Sequence, residues 1–502
     1  MPRRTAPGLT VLGLAMAAAW GLAWTRPWWL WHHYPSADLR PVLSSGGELA
    51  LYGTMVPLLF ALYATAAWLA GRGTSRWADA VALAAPFAFV ALLLPTLPAT
   101  SSDIHHYVME GRTLWVHGQN PMTTPPSAFP DDPYLGYVPA WHRDSPSPYG
   151  PFWLLLTRLP SLLPEERPEA VLLGYKGLSA AFFLATALLL WLALAGTGAG
   201  ERRRALVLYA WNPLMLLAVA VDGHNDVAPA LLAVGAVLTA STARWLLAPP
   251  LLTMAALGKY VAAALAPLVL VAGWVATAHR GRRGLAMGLG VAALAAVALM
   301  APFWEGMDTF RAFRVDQRSW FANSLPEVAL LGLAKVLPLE TAMGAARALG
   351  LLGFASLYAL LLWRSWREGR SVTWGACQAM FLFLATASTL FYHWYVAWAL
   401  PLAALLVGDV WRLPPLALSF TASFLPLIER MTAYQGFLQG DSGMRALVAV
   451  AVVLVPPLAL WAWLAAREGW LLPWRWLGTT VEAVHPRTGT GLADGADGAR
   501  PT

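Results

Sequence analysis

Residues 79–121, "DAVALAAPFAFVALLLPTLPATSSDIHHYVMEGRTLWVHGQNP", join an apolar run to a concentration of ionisable groups. The run up to Pro98 carries one acid and no base, and it is long enough to cross a bilayer, whose hydrocarbon core takes about 20 residues of helix. An acid, three histidines, a glutamate and an arginine follow at once. A membrane span that ends in such a cluster delivers it to one membrane surface. The stretch therefore reads as a span followed by a site, and the rest of the chain extends the pattern.

Hydrophobic residues make up 58% of the 502 and charged residues 12%, with a mean hydropathy of +0.54. A soluble domain carries about 25% charged residues, so the composition excludes one and points to an all-α polytopic membrane bundle. The net charge of +7 and pI near 9.6 do not indicate a nucleic-acid partner. The arginines fall in short clusters between apolar runs, as topology determinants do. Cys377 is the single cysteine, which excludes an internal disulfide and a cysteine metal site. "MPRR" before an apolar stretch is similar to a signal peptide. No cleavage site follows, so it is read as a retained first span.

Apolar runs near 9–25, 49–70, 80–97, 171–195, 205–221, 227–243, 285–303, 341–362, 372–391 and 444–465 are long enough to cross. Two ambiguous pairs are 246–258 with 260–277 and 394–408 with 413–428; 149–163 and 326–338 are shorter. Basic clusters lie at Arg3/Arg4, Arg72/Arg76, Arg202–Arg204, Arg244, Arg280/Arg282/Arg283, Arg364/Arg367/Arg370, Arg412 and Arg467/Arg475. All can be cytoplasmic at once if each ambiguous pair crosses twice and the short runs are re-entrant or interfacial. That assignment gives about 14 spans with both ends inside. The remaining polar loops then share the outer face: 98–148, "VDGHND" at 221–226, 303–324, "FYHWY" at 391–395 and 429–443. The expected organisation is a transmembrane domain over 1–466, with an external catalytic loop over about 98–170. A polar, Gly-rich cytoplasmic tail over 467–502 is expected to be disordered. No internal repeat and no soluble domain is evident.

Within "DIHHYVMEGR", a helix would place Asp103, His106 or Tyr107, and Glu110 on one face. Gly111 would let Arg112 swing off that row. The plain alternative is an interfacial helix whose charges face water. "DSPSPYGPFW" (144–153) combines fixed proline angles with aromatics and suits a rigid platform under a ligand, or an ordinary loop. In "WNPLMLLAVAVDGHNDVAPALL" (211–232), Asp222, His224, Asn225 and Asp226 sit between two spans joined by almost no loop. Four polar residues there exceed what helix capping needs. Lys259 divides two apolar half-runs, an arrangement that commonly frames an ionic ligand, although a lysine can also snorkel to the headgroups. Arg311, Arg314 and Arg318 follow at helical spacing and suit either phosphate or a solvated face. His393, within "FYHWYVAW", reads as an aromatic-belt residue. A metal site among Asp103, His105 and His106 is weakened because adjacent histidines on one helix point apart.

The order of "DIHHYVMEGRTLWVHGQNPM", "SPSPYGPFW", "WNPLMLLAVAVDGHND", "LGKYVAAALAPL" and "FYHWYVAWALPLAAL" resembles the polyprenol-phosphate-mannose-dependent alpha-1,6-mannosyltransferases, which belong to the GT-C superfamily. The likeness covers about residues 100–410. Asp103, Tyr107, Gly111, Arg112, Gly118, Asn120 and Pro121 match the family's external motif, and His105 stands where tyrosine is usual. The resemblance implies a GT-C fold and an inverting transfer at the outer face of the cell membrane. The donor would be a polyprenyl-phosphate sugar, most of all mannose, and the acceptor a glycan or glycolipid hydroxyl. It gives Asp103 the role of general base; His106, Glu110, Asp222, His224 and Asp226 are candidates to support it. Arg112, Lys259 and Arg314 would meet the donor phosphate. Tyr107, Trp115, Asn120, Tyr149, Asn225 and Trp394 would contact sugars. No cofactor is expected, a divalent metal at the phosphate being the alternative.

A proton-coupled transporter or lipid-carrier flippase would also use Asp222, Asp226, Lys259 and a broken helix. Such proteins place their ionisable groups near the bilayer midplane, whereas the topology above gathers these at one face.

Overall fold

The computed structural model describes residues 5–30, 43, 45–275, 279–314, 321–434 and 442–470. Arg3, Arg4, Arg318, Arg475, the 435–441 part of the outer loop and the polar tail from 471 lie outside the described residues. The described chain is helical, with isolated β-bridges and no strand. Seven helices are long and apolar enough to cross a membrane: Thr5–Thr25, Gly46–Ala70, Arg76–Leu93, Pro168–Ala193, Arg282–Phe303, Leu339–Glu368 and Gly443–Arg467. The pair Ala199–Ala210 and Pro213–Val221, bent by 46°, qualifies as an eighth broken span. Val227–Ser241, Tyr260–Trp274 and Val372–Ala387 are shorter apolar helices. This is a multi-pass membrane protein, compatible with about 14 crossings once broken and short helices are counted.

The breaks have local causes. Trp211 closes the Ala199–Ala210 helix, and Asn212 caps the start of the next, its side chain accepting from the backbone N–H groups of Leu214 and Met215. Pro213 then starts the next helix, at a position where its missing N–H costs nothing. The ambiguous pair over 246–277 resolves into Ala248–Ala256, a 3-10 segment Tyr260–Leu265 and Ala266–Val275, with Lys259 at the break. The two short runs form the short helices Pro151–Leu156 and Leu325–Leu333.

Polar groups segregate to opposite ends of the helices. At one end the fully buried Arg203 donates to the carbonyls of Ala70, Arg72 and Gly73 and to Asp79 at 2.6 Å. Arg202 donates to the Trp191 carbonyl, and Arg412 reaches Glu201 at 3.6 Å. At the other end of Arg76–Leu93 and Pro168–Ala193, residues 96–101 meet the 222–226 turn. The basic clusters at 72–76, 202–204 and 412 thus share the end remote from "DIHHYVMEGR".

Chain contacts group residues 1–460 as one unit and 461–502 as a second. Within the second, Trp461 and Trp470 meet edge to face.

Candidate active site

Two distant segments lock together to present Asp103. Asp222 accepts hydrogen bonds from the backbone N–H groups of Ala99 (2.7 Å) and Thr100 (3.0 Å) and from the Thr100 hydroxyl. The same hydroxyl lies 3.0 Å from His393 Nε2. Beneath them, Lys176 donates to the Thr96 carbonyl at 2.5 Å and Ser179 to the Gly223 carbonyl at 3.0 Å. Both come from the Pro168–Ala193 span. Gly223 adopts φ +76°, and a Cβ there would lie 2.5 Å from Ile104 Cδ1. The chain thereby uses Asp222 as a tie between loops. Asp103 follows as the first residue of the Asp103–Trp115 helix, where the partial positive charge of the helix start favours a carboxylate.

The face expected from the sequence forms, and it is inward. Residues 104–113 are all buried. Asp103 Oδ1 lies 3.6 Å from His142 Nε2. His142 stacks on His106 with ring centroids 4.6 Å apart, and His106 Nδ1 is 3.7 Å from Glu110 Oε1. Burial alone would raise the Asp103 carboxyl. The neighbouring His142 and the Lys259 charge outweigh it and hold the group well below the ordinary carboxylate range. Burial lowers His106 to about 3. Burial raises Glu110 to about 8 against the counteracting Ser147 and Trp153. At neutral pH one helix therefore carries an ionised Asp103, a neutral His106 and a protonated Glu110.

Opposite this row stands an aromatic wall. The Tyr107 hydroxyl is 3.4 Å from both His224 Nδ1 and the Tyr149 hydroxyl. His224 stacks on Trp394 (3.9 Å), which stacks on Tyr392 (4.5 Å). Lys259 Nζ donates to Asp226 Oδ1 at 2.7 Å and lies over the rings of Tyr149 and Tyr395. Trp398 Nε1 donates to the same carboxylate oxygen. The Pro-rich stretch sets the Lys259 break, since Gly150 and Phe152 donate backbone bonds to Gly258 and Leu257. A Cβ on Gly150 would lie 2.1 Å from the Leu257 carbonyl oxygen. Several buried polar atoms near this wall have no protein partner: Asn225 Oδ1, Asp226 Oδ2 and His224 Nε2. Such atoms are costly unless a ligand or water meets them.

The family model described as Alpha-(1->6)-mannopyranosyltransferase, N-terminal domain, matches residues 5–278. The chain belongs to this family. No curated protein and no solved structure matches it. The matched region carries Asp103, the 222–226 turn and Lys259, while the Tyr392–Trp398 part of the wall lies beyond it.

Not every expected residue of this mannosyltransferase joins the cluster. Arg112 lies off the row in an unbroken helix, where Gly111 instead makes room for the Tyr175 hydroxyl, and pairs with Asp132 (2.9 Å) and Glu165 (3.0 Å) over the Tyr134 ring. Asp132 also takes His117 at 2.7 Å. Trp115 donates to Thr157, Asn120 donates to Glu305 and the Phe303 carbonyl, and the exposed Arg314 pairs with Asp308. Among the described residues, no group of three or more His, Cys, Asp or Glu is arranged to hold a metal ion. The sequence reading passed over His142, Lys176 and Trp398 and took His393 for a belt residue. His393 is instead fully buried against Thr100. A lysine inside an apolar run was a usable signal for Lys176; His142, in an unremarkable loop, carried none.

Proposed function

We propose that this protein moves mannose from a polyprenyl-phosphate donor to a hydroxyl of a glycan or glycolipid, with inversion, at the extracytoplasmic face of the cell membrane. The observation that carries the reading is the partly exposed Asp103 carboxylate at the edge of an aromatic cluster with unpartnered polar atoms and one lysine. A hydroxyl attacking an anomeric carbon needs a carboxylate within hydrogen-bond reach. Asp103, whose side chain is 22% exposed, can take that proton. The bond from C1 to the acceptor oxygen forms as the bond from C1 to the phosphate oxygen breaks, and the electron pair leaves with the phosphate. The leaving group gains negative charge and needs a cation rather than a proton. Lys259 supplies it here, because it lies in the wall over Tyr149 and Tyr395 and its charge reaches Asp103, whereas Arg112 lies off the row. Unpartnered Asn225, Asp226 and His224 atoms suit sugar hydroxyls, and Tyr107 and Tyr149 add hydroxyls beside them.

Two further features support the reading. The basic clusters at the helix ends remote from Asp103 favour a cytoplasmic location for those ends, which supports an outward-facing Asp103. A lipid-linked donor would enter from the bilayer. The gathering of Asp222, Asp226 and Lys259 at the Asp103 end speaks against a transporter, whose ionisable groups sit near the midplane. No cofactor is needed, and chelation with EDTA is expected to leave transfer largely intact.

The test is transfer from radiolabelled polyprenyl-phosphate mannose in membranes holding the protein. Asp103→Asn keeps the shape but cannot take the proton, and should cost at least ~100-fold at unchanged expression. Donor left intact after prolonged incubation with acceptor and wild-type protein would overturn the donor assignment. Proton-coupled uptake without a broken glycosidic bond would point to the transporter.

A further inference from the structure

We propose that Asn323, Glu327, Glu429 and Arg445 form a binding site for the acceptor glycan, holding the sugar that precedes the one whose hydroxyl meets Asp103. The inference rests on the reading of the protein as a transferase to a glycan hydroxyl, and it adds where that glycan lies. The occupant is a neutral sugar chain, recognised through its hydroxyls.

Four segments from the second half of the chain meet here. Residues 322–324 run beside 389–391: the Ala322 N–H donates to the Thr389 carbonyl, the Phe391 N–H to the Ala322 carbonyl, and the Ser324 hydroxyl to the Thr389 carbonyl. Asn323 adopts φ +54°, a left-handed conformation that asparagine takes more readily than most residues. Its Nδ2 donates to the Phe391 carbonyl at 3.3 Å and, across to the Leu425–Tyr434 helix, to Glu429 Oε1 at 2.7 Å. Glu327, from the Leu325–Leu333 helix, lies within reach of the charges of Glu429 and of Arg445 on the Ser442–Ala449 helix.

Three buried polar atoms of this group have no protein partner: Asn323 Oδ1, Glu327 Oε2 and Arg445 Nε. Asn323 is 1% exposed and Glu327 7%, whereas Arg445, Glu429 and Tyr392 are half-buried. Unmet polar atoms of this kind are costly unless a ligand or water reaches them. Two acceptors beside one donor suit a group that both donates and accepts, as a sugar hydroxyl does. A phosphate would face two carboxylates and a cation would face Arg445, so the mixed charge favours a neutral ligand. The place suits a chain that ends at Asp103. Tyr392 is the end ring of the His224–Trp394–Tyr392 stack, and it lies within the fields of both Asp103 and the Glu429, Arg445 and Glu327 group. A glycan passing Tyr392 would offer its terminal hydroxyl to Asp103 and its preceding sugar to Asn323 and Glu327.

The experiment uses full-length protein in detergent, with radiolabelled polyprenyl-phosphate mannose as donor and a synthetic alkyl α-mannoside or alkyl α-1,6-mannobioside as acceptor. Wild type should show a KM about 10-fold lower for the disaccharide. Glu327→Gln with Arg445→Met removes both charges together, so neither is left buried alone. That variant should raise the disaccharide KM about 10-fold, to the monosaccharide value, with kcat and donor KM within about twofold. No disaccharide preference in wild type, or an unchanged preference in the variant, overturns the site. So does a fall in kcat at unchanged acceptor KM, which would leave the cluster as a support for the aromatic wall. If the double variant does not fold, Glu327→Gln alone, which keeps the shape, is read in the same way. Thermal unfolding of Asp103→Asn separates this claim from the catalytic one. The mannobioside should raise its Tm, and adding Glu327→Gln and Arg445→Met should abolish the rise. No rise in Asp103→Asn, or a rise that persists in the triple variant, overturns the site and leaves the base standing. Transfer that persists in Asp103→Asn removes the base, while a rise abolished in the triple variant still upholds the site.

Discussion

Substituting Gly223 by alanine should disable the site from beneath without touching a reacting group. Gly223 sits at φ +76°, where a Cβ costs roughly 1–2 kcal/mol. The added Cβ would also lie 2.5 Å from Ile104 Cδ1 and 3.0 Å from Lys176 Cγ, against an ordinary carbon contact of about 3.5–4.0 Å. Ile104 and Lys176 are fully buried, so neither can retreat into space. Overpacking of this kind costs about 1–3 kcal/mol, which gives a total of about 2–5 kcal/mol. Relieving the clash needs a shift of about 1 Å in the residue next to Asp103, and misplacements of that size lower turnover about 100-fold. The comparator is Gly408→Ala: φ is +72° there and nothing lies within 4 Å of the added Cβ. It should lose only about 1–2 kcal/mol and keep its activity. Purified variants would be compared by thermal unfolding in detergent and by mannose transfer. If Gly223→Ala unfolded and transferred like Gly408→Ala, the 222–226 turn would not be what positions Asp103.

Lys259→Met alone leaves Asp226 buried without its cation, a loss of about 3–5 kcal/mol. Lys259→Met with Asp226→Asn should instead fold normally yet transfer about 100–1000-fold more slowly, with donor KM changed less. Near-normal turnover in that double variant would remove Lys259 from the phosphate. Glu110, raised by burial from 4.5 to about 8, keeps a proton when folded that the unfolded chain releases. Its contribution to stability therefore falls as pH rises from about 4.5 to about 8. Unfolding temperatures of Glu110→Gln across that window should lose this slope, and an unchanged slope would contradict the buried acid. With Cys377 replaced by Ala, a cysteine at Ser127 should react with an impermeant maleimide in intact cells and one at Ser75 only after lysis. Labelling of both or neither in intact cells would overturn the outward placement of Asp103.

The sequence by itself determined the membrane class, most helix positions and the row Asp103–His106–Glu110, because hydropathy and helical periodicity are local and need no knowledge of what packs where. It also marked the 222–226 turn and the break at Lys259, since polar residues among long apolar runs are costly wherever the chain goes. Tertiary structure decided what these groups do. Asp222 looked like a candidate catalytic support, but its oxygens are taken by Ala99 and Thr100 across more than a hundred residues. Arg112 looked free to meet a phosphate until Asp132 and Glu165 folded onto it. His142 and His393 carried no local signal, because each gains its role only through a partner far along the chain or across a packed interface. The ionisation of Asp103, His106 and Glu110 was likewise invisible: along two helix turns Asp103 is driven toward its charged form and His106 and Glu110 toward their neutral forms because burial and neighbouring charge differ at each, and both are properties of the packed bundle.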